Sequence, residues 1–243
     1  TDDFAAITTA QISALKTAQT AALTTAQVVA LTTGQVANLT TAQLAALTTA
    51  QLVKMETDDV AAITTDQISA LKTAQIAALT SDQVLTLSTD QLSELKTAQI
   101  AALTTANLAQ LTTDQFSVFD SAQIAAMTTA QVVALTTDQV STLSTEQLSS
   151  LTTAQLAKME TDDFAAITTD QITALTTKQV AALSTSQVVA LTTDQVSTLT
   201  TDQLTSLTTA QVVSMQTDDL AAITTEQLSA LKTSQTAALT TAQ

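Results

Sequence analysis

Apolar residues recur along the chain at alternating spacings of three and five residues, which together make an eight-residue period. We number this octad so that a residue's position is the remainder of its number after division by eight. Position 7 is Leu, Ile, Met or Phe in every octad, and position 4 is apolar except at Thr20 and Thr236. The period runs from Thr1 to Gln243 without insertion or deletion.

Two regular structures conflict with this spacing. A continuous helix turns about 100° per residue, so each octad would rotate the apolar stripe by roughly 80° and leave no seam. A strand or β-solenoid needs alternation with a period of two and turn residues, but the chain has one Gly and no Pro. Its Ala, Gln and Leu content also favours helix.

A short helix in each octad fits the pattern. The three-residue spacing from Ile12 to Leu15 places two apolar side chains on one face of a single turn. Thr8 precedes Gln11 by three residues, which is the capping-box spacing, and Ile7 and Ile12 then form a hydrophobic staple. We therefore predict one helix of about 5–6 residues per octad.

The sequence leaves the capping hydroxyl open between two positions. Position 0 is Lys at Lys16 and Glu at Glu56, and neither is a good cap, whereas position 1 is always Thr or Ser. We favour the position 1 hydroxyl as the structural one, either as the cap or as a donor to a neighbouring carbonyl. Position 3 is Gln with only Asp or Asn exceptions, all of which can accept a hydrogen bond.

Helices this short are unstable alone, so the anchors at positions 4 and 7 must be buried against other octads. The predicted fold is an all-α repeat solenoid or superhelix of about thirty single-turn-to-two-turn helices, one per eight-residue repeat. We expect residues 1–243 to form a single continuous solenoid. Both ends fall inside a repeat, which suggests a segment of a longer array.

A longer spacing accompanies the octad. Thr-Asp-Asp octads begin at Thr1, Thr57, Thr161 and Thr217, at intervals of seven, thirteen and seven octads. If this spacing reports the superhelix, one turn takes six or seven octads. The stretch from Phe116 to Asp120 is the least regular in the chain and marks either a bend or sequence drift.

Composition argues against catalysis. The sequence has no Cys, His or Arg, which removes thiolate chemistry, the commonest general base and the side chain that best binds phosphate. The net charge of −15 argues against nucleic acid and anionic membranes as partners, and no apolar stretch is long enough to span a bilayer. We therefore expect no enzyme activity, no catalytic or cofactor-binding residues, and no cofactor.

Two features could bind something. Paired carboxylates, such as Asp58 and Asp59, could hold Ca²⁺, but no EF-hand spacing or Gly-rich loop accompanies them. We interpret them as first-turn charge and as a marker of the superhelix, with no metal site. Regular ranks of Thr could instead present an ordered surface for ice, glycan or mineral.

The motif Leu-Thr-Thr-x-Gln-Val-x-x-Leu, at Leu31 to Leu39 and at Leu135 to Leu143, resembles octapeptide arrays in very large secreted bacterial surface proteins of the adhesin type. This resemblance implies an extracellular or cell-surface location. We expect a structural segment that serves as a rigid stalk, a spacer or a self-assembling fibre with homotypic contacts. The alternative function is binding of an ordered surface through the Thr ranks.

Overall fold

A computed structural model describes residues 2–241 and 243, and for residues 2 and 3 it describes the backbone only. This part of the chain contains helices and no strand. It divides into two compact units, Thr1–Ala126 and Met127–Gln243, which are described separately. The expectation of one continuous solenoid over 1–243 therefore stays a prediction.

The first unit carries sixteen helices of 4–6 residues, one in each octad: α1 (Asp2–Ala5), α2 (Thr9–Ser13), α3 (Thr17–Ala21), α4 (Thr25–Val29), α5 (Thr33–Ala37), α6 (Thr41–Ala46), α7 (Thr49–Leu52), α8 (Thr57–Ala61), α9 (Thr65–Ala70), α10 (Thr73–Ala78), α11 (Ser81–Leu85), α12 (Thr89–Ser93), α13 (Thr97–Ile100), α14 (Thr105–Gln110), α15 (Thr113–Ser117) and α16 (Ser121–Ala125).

The second unit continues the same pattern with α17 (Thr129–Val133), α18 (Thr137–Thr142), α19 (Thr145–Ser150), α20 (Thr153–Leu156), α21 (Thr161–Ala165), α22 (Thr169–Ala174), α23 (Thr177–Ala181), α24 (Thr185–Val189), α25 (Thr193–Thr198), α26 (Thr201–Ser206), α27 (Thr209–Ser214), α28 (Thr217–Ala222), α29 (Thr225–Ala230) and α30 (Thr233–Ala238). One short helix per octad is as predicted.

Each helix ends because the residues at positions 7 and 0 are extended. After α6, Leu47 has φ −58° and ψ 143°, and Thr48 has φ −74° and ψ 159°. Two extended residues therefore separate this helix from the next. No described residue has a positive φ, which suits a chain with one Gly and no Pro.

The two anchor positions form the core of each unit. Position 4 side chains from Ile12 to Val212 are 0–1% exposed, and position 7 side chains from Leu31 to Met215 are 1–5% exposed. Thr20 is fully buried in an anchor position and donates its hydroxyl to the carbonyl of Lys16 at 3.3 Å. The predicted burial of positions 4 and 7 is confirmed over these octads.

Helices stack on the third helix along the chain, so that α6 packs on both α3 and α9, and α22 packs on α19 and α25. Side chains also reach carbonyls 28–31 residues earlier, which lie in the fourth octad back. One turn therefore takes three to four octads. The expectation of six or seven was wrong, because seven octads span two turns.

The irregular stretch from Phe116 to Asp120 keeps the octad geometry. Phe116 and Phe119 fill the two anchor positions, with ring centroids 5.6 Å apart and ring planes at 80°. Asp120 acts as the N-cap of α16, and its carboxylate accepts from the Gln123 backbone N–H at 2.7 Å. The irregularity is therefore sequence drift that the octad accommodates.

The helix caps settle the choice between positions 0 and 1. Thr40, at position 0, is the N-cap of α6, and its hydroxyl accepts from the Gln43 backbone N–H at 3.1 Å. Thr41, at position 1, is the first residue of the helix and is exposed. The preference for position 1 as the cap was wrong, because position 1 already has helical geometry.

Truncation of a buried anchor should destabilise its turn. We expect Leu92→Ala to cost about 2–5 kcal/mol, because Leu92 is fully buried and its loss leaves a cavity. Leu228→Ala is the matched control, since Leu228 is also at position 4 but is 51% exposed. Urea unfolding followed by far-UV circular dichroism measures both. Equal losses would contradict the assigned core.

The cap assignment gives a second prediction. Thr40→Ala should lose about 0.5–2 kcal/mol, since it removes the hydroxyl that accepts from Gln43. Thr41→Ala should change the stability by no more than a few tenths of a kcal/mol. The same unfolding measurement distinguishes the two variants. A larger loss of stability for Thr41→Ala would show that the cap is at position 1.

Candidate functional site

The position 3 residues, here called the glutamine column, make side-chain hydrogen bonds that repeat from octad to octad. Within its own octad, Gln43 completes the predicted capping box. The Thr40 backbone N–H donates to Gln43 Oε1 at 2.7 Å, and the Gln43 backbone N–H donates to Thr40 Oγ1 at 3.1 Å. Two backbone donors at the start of α6 are thereby satisfied.

The other end of the same amide reaches the preceding turn. Gln43 Nε2 donates to the carbonyls of Ile12, Ser13 and Leu15 at 2.9, 3.2 and 2.7 Å. These carbonyls belong to the C-terminal end of α2, where a helix leaves its last acceptors without partners. One side chain therefore caps the start of its own helix and the end of the helix four octads earlier.

The contact repeats through each unit with the same sequence offsets. A carbonyl on one side and a backbone N–H on the other fix the orientation of each amide. Gln67 donates to Leu39 at 2.5 Å, and Gln203 donates to Leu175 at 2.7 Å. Equivalent bonds are made by Gln35, Gln51, Gln75, Gln83, Gln91, Gln99, Gln115, Gln123, Gln171, Gln179, Gln187, Gln195, Gln211, Gln227, Gln235 and Gln243.

This contact explains why position 0 tolerates Lys. A Lys ammonium has no acceptor, so Lys72 makes no side-chain cap. Its backbone N–H still donates to Gln75 Oε1 at 2.8 Å, and Gln75 Nε2 still reaches Leu47 at 2.8 Å. The octad therefore keeps the glutamine half of its capping box and its bond to the preceding turn.

The first octads show the same side chain without its long-range partner. Gln11 and Gln19 keep the bond from Oε1 to the position 0 backbone N–H, at 2.9 and 2.8 Å. Both are exposed, whereas Gln35 and Gln43 are 2% and 1% exposed. Burial of the column is thus tied to the bond between turns.

Asn107 shows how a shorter side chain fits the column. Its Nδ2 donates to the Leu79 carbonyl at 2.9 Å, 28 residues back, as a glutamine would. Its Oδ1 accepts from the Ser81 hydroxyl at 2.9 Å, because the shorter side chain no longer bonds the position 0 N–H. The position 1 hydroxyl of Ser81 therefore acts as a donor to this shorter side chain.

Asp163 and Asp219 repeat part of this arrangement. The Thr137 hydroxyl donates to Asp163 Oδ1 at 2.7 Å, and the Thr193 hydroxyl donates to Asp219 Oδ1 at 3.2 Å. Burial raises the pKa of both carboxyls above the usual 3.8, the donated hydroxyls oppose that shift, and neighbouring carboxylates add to it.

Asp59 is the most perturbed carboxyl in the column. It is 3% exposed, and burial, with the charges of Glu56 and Asp58 adding to the effect, raises its pKa to about 6. The buried Oδ2 atoms of Asp59 and Asp219 have no hydrogen-bond partner. A carboxylate cannot donate to the carbonyls that glutamine bonds, which accounts for these unpartnered atoms.

The paired carboxylates do not meet to form a metal centre. Among the described residues, no group of three or more acidic side chains is placed to hold a metal ion. In the three pairs whose side chains the structure describes, the first carboxylate, such as Asp58, is exposed and the second, such as Asp59, is buried in the column. The side chains of the pair Asp2 and Asp3 lie outside the described residues. Their geometry assigns the second carboxyl to contacts between turns. The expected lack of enzyme activity stays a prediction.

Sequence reasoning recognised the glutamine column only as half of a capping box. The bond between turns was missed because it joins residues 28–31 apart. The signal was the column itself, since position 3 never becomes apolar, Lys or Thr, although position 0 varies.

The repeat matches one known family. A family model described as the ALTTAQ repeat matches residues 1–33, 52–89, 86–119, 117–145, 143–177, 156–193, 177–209 and 212–243. The chain belongs to the ALTTAQ repeat family. No curated protein matches it. The described part of this ALTTAQ repeat chain contains no helix long and apolar enough to cross a membrane.

Replacement of one column glutamine by glutamate tests the bond between turns. At neutral pH, Gln67→Glu can still accept from Thr64 but faces the carbonyls of Val36 and Leu39 with a charge that cannot donate. We expect a loss of about 1–3 kcal/mol or more in the free energy of unfolding. Acidification that protonates the carboxylate should recover part of it.

The matched control is Gln11→Glu, since Gln11 makes the same capping contact but is exposed and has no carbonyl partner. Its unfolding midpoint in urea should change little. If both variants lose the same stability, the column acts only through its caps.

Proposed function

We propose that this ALTTAQ repeat chain is a structural segment of an extracellular or cell-surface protein, serving as a rigid stalk, a spacer or a self-assembling fibre. The observation that carries the proposal is the glutamine column. Buried amides bond each turn to the preceding one, at distances of 2.5–3.0 Å to the carbonyl 28 residues earlier. Under a pull along the stack every turn bears the same load, so each turn needs its own bond to resist extension.

Most positions of the octad have a role in folding, which supports the same function. Positions 4 and 7 fill the core, position 3 joins turns, and position 0 caps the helix. The side chains that remain are mostly exposed Thr, Ala, Ser and Asp. The net charge of −15 keeps a long array soluble and disfavours nucleic acid as a partner. Homotypic contact is the partner class we propose.

Single-molecule stretching tests the mechanical role. With the chain held between two handles, we expect stepwise extension as turns release, with about 90–100 Å of extended chain for each 28-residue turn. Gln67→Glu should lower the force of at least one step, and Gln11→Glu should not. Extension at negligible force, without steps, would contradict a load-bearing role.

Cell-surface location is tested separately. An antibody raised against the chain should label intact cells of the source organism or its extracellular material. Labelling only after permeabilisation would contradict this part of the proposal while leaving the mechanical role standing.

Ordered-surface binding is the second candidate, and one observation favours it. Most position 1 side chains are exposed, and among the described residues only Ser81, Thr137 and Thr193 of that position donate to another side chain. The exposed members of this position recur at multiples of eight residues. Thermal hysteresis or inhibition of ice recrystallisation would support this function, and the absence of both would contradict it for ice.

A further inference from the structure

Three octads place an aspartate where the structure needs a donor. Asp59, Asp163 and Asp219 occupy position 3 and are 3–5% exposed. A glutamine there donates to the carbonyl 28 residues earlier, which for these three is Leu31, Leu135 or Leu191. We call them the acid octads.

Asn107 identifies which carboxyl oxygen faces that carbonyl. In Asn107, Oδ1 accepts a hydrogen bond from the hydroxyl of the residue 26 positions earlier. Its Nδ2 donates to the carbonyl 28 residues earlier at 2.9 Å. Asp163 and Asp219 accept the same hydroxyl on Oδ1. Their Oδ2 therefore corresponds to the donor nitrogen of Asn107, and in Asp219 that oxygen is buried without a partner.

We propose that the acid octads are proton-dependent clasps, in which the neutral carboxyl donates its Oδ2–H to the carbonyl 28 residues earlier and the ionised carboxyl releases it. The proton replaces the amide hydrogen that glutamine supplies at the other octads. Loss of the proton leaves an anion buried against a carbonyl oxygen, and both groups are then acceptors only. The three turns loosen as the pH rises.

The charges around each clasp all favour the protonated form. Glu56 and Asp58 flank Asp59, and Glu160 and Asp162 flank Asp163, whereas Gln216 replaces the glutamate before Asp219. The helices that pack on α8, α21 and α28 carry no lysine. Their ionisable residues are Asp82, Asp138 and Asp194. Asp90 also lies near Asp59, since its neighbour Gln91 bonds the Val60 carbonyl.

The direction of the pH dependence follows from the raised pKa values. Between the unfolded value near 3.8 and about 6 for Asp59, the folded chain holds a proton that the unfolded chain has lost. Stability from the clasp is therefore complete below about pH 4, falls as the pH rises through this window, and is absent above about 6.5. Asp163 and Asp219 shift in the same direction.

The test compares the chain with the triple variant Asp59→Asn, Asp163→Asn and Asp219→Asn, whose amides donate at every pH as Asn107 does. At pH 7.5, we expect Asp59→Asn to lower the unfolding equilibrium constant of its turn by roughly 100-fold, and the other two substitutions to act in the same direction. At pH 4, the variant and the parent chain should be equally stable. Asp66→Asn, at an exposed carboxyl, is the control and should give no pH-dependent difference.

A direct readout follows the carboxyl carbons. The ¹³Cγ resonances of Asp59, Asp163 and Asp219 should titrate above the ordinary aspartate pKa of 3.8, with Asp59 near 6. A variant that is no more stable than the parent at pH 7.5, or equally more stable at both pH values, would overturn the proposal. So would Ca²⁺-dependent stabilisation with ¹³Cγ shifts that do not titrate in this range, since a cation rather than a proton would then bridge the oxygens.

Discussion

The bond from a buried glutamine amide to carbonyls of the preceding turn is the interaction on which the rest of the structure depends. A helix of 4–6 residues cannot satisfy most of its own backbone groups, and it has little cooperative stability. Gln43 satisfies a donor at the start of its helix and acceptors at the end of another. The short helices are stable because the glutamine of each one bonds carbonyls that another helix leaves without partners.

The apolar core and the amide contacts are mutually dependent. Stacking of α6 on α3 buries Leu44 and brings the Gln43 amide to the end of α2. Burial removes water that would compete for the carbonyls, so an unmade bond there costs more than at the surface. This coupling explains why Gln11 is exposed while Gln43 is buried, although their local sequences are alike.

The parts of the fold that depend on neighbours within an octad could be predicted from sequence. Helix length, the anchors at positions 4 and 7 and the Thr8–Gln11 capping box all follow from spacings of three to five residues. The number of octads per turn and the second role of glutamine could not, because both depend on contacts 24–31 residues apart. The constant hydroxyl at position 1 misled the choice of cap. Among the described residues, position 1 hydroxyls donate to another side chain beside Asn107, Asp163 and Asp219.

Hydrogen exchange of the glutamine side-chain amides, followed by NMR with ¹⁵N-labelled glutamine, tests the central claim most directly. If the amides join turns, interior residues such as Gln43 and Gln67 should exchange far more slowly than the exposed Gln11 and Gln19. Two separated populations of rates are therefore predicted. Uniformly fast exchange of all the glutamine side chains would contradict the account.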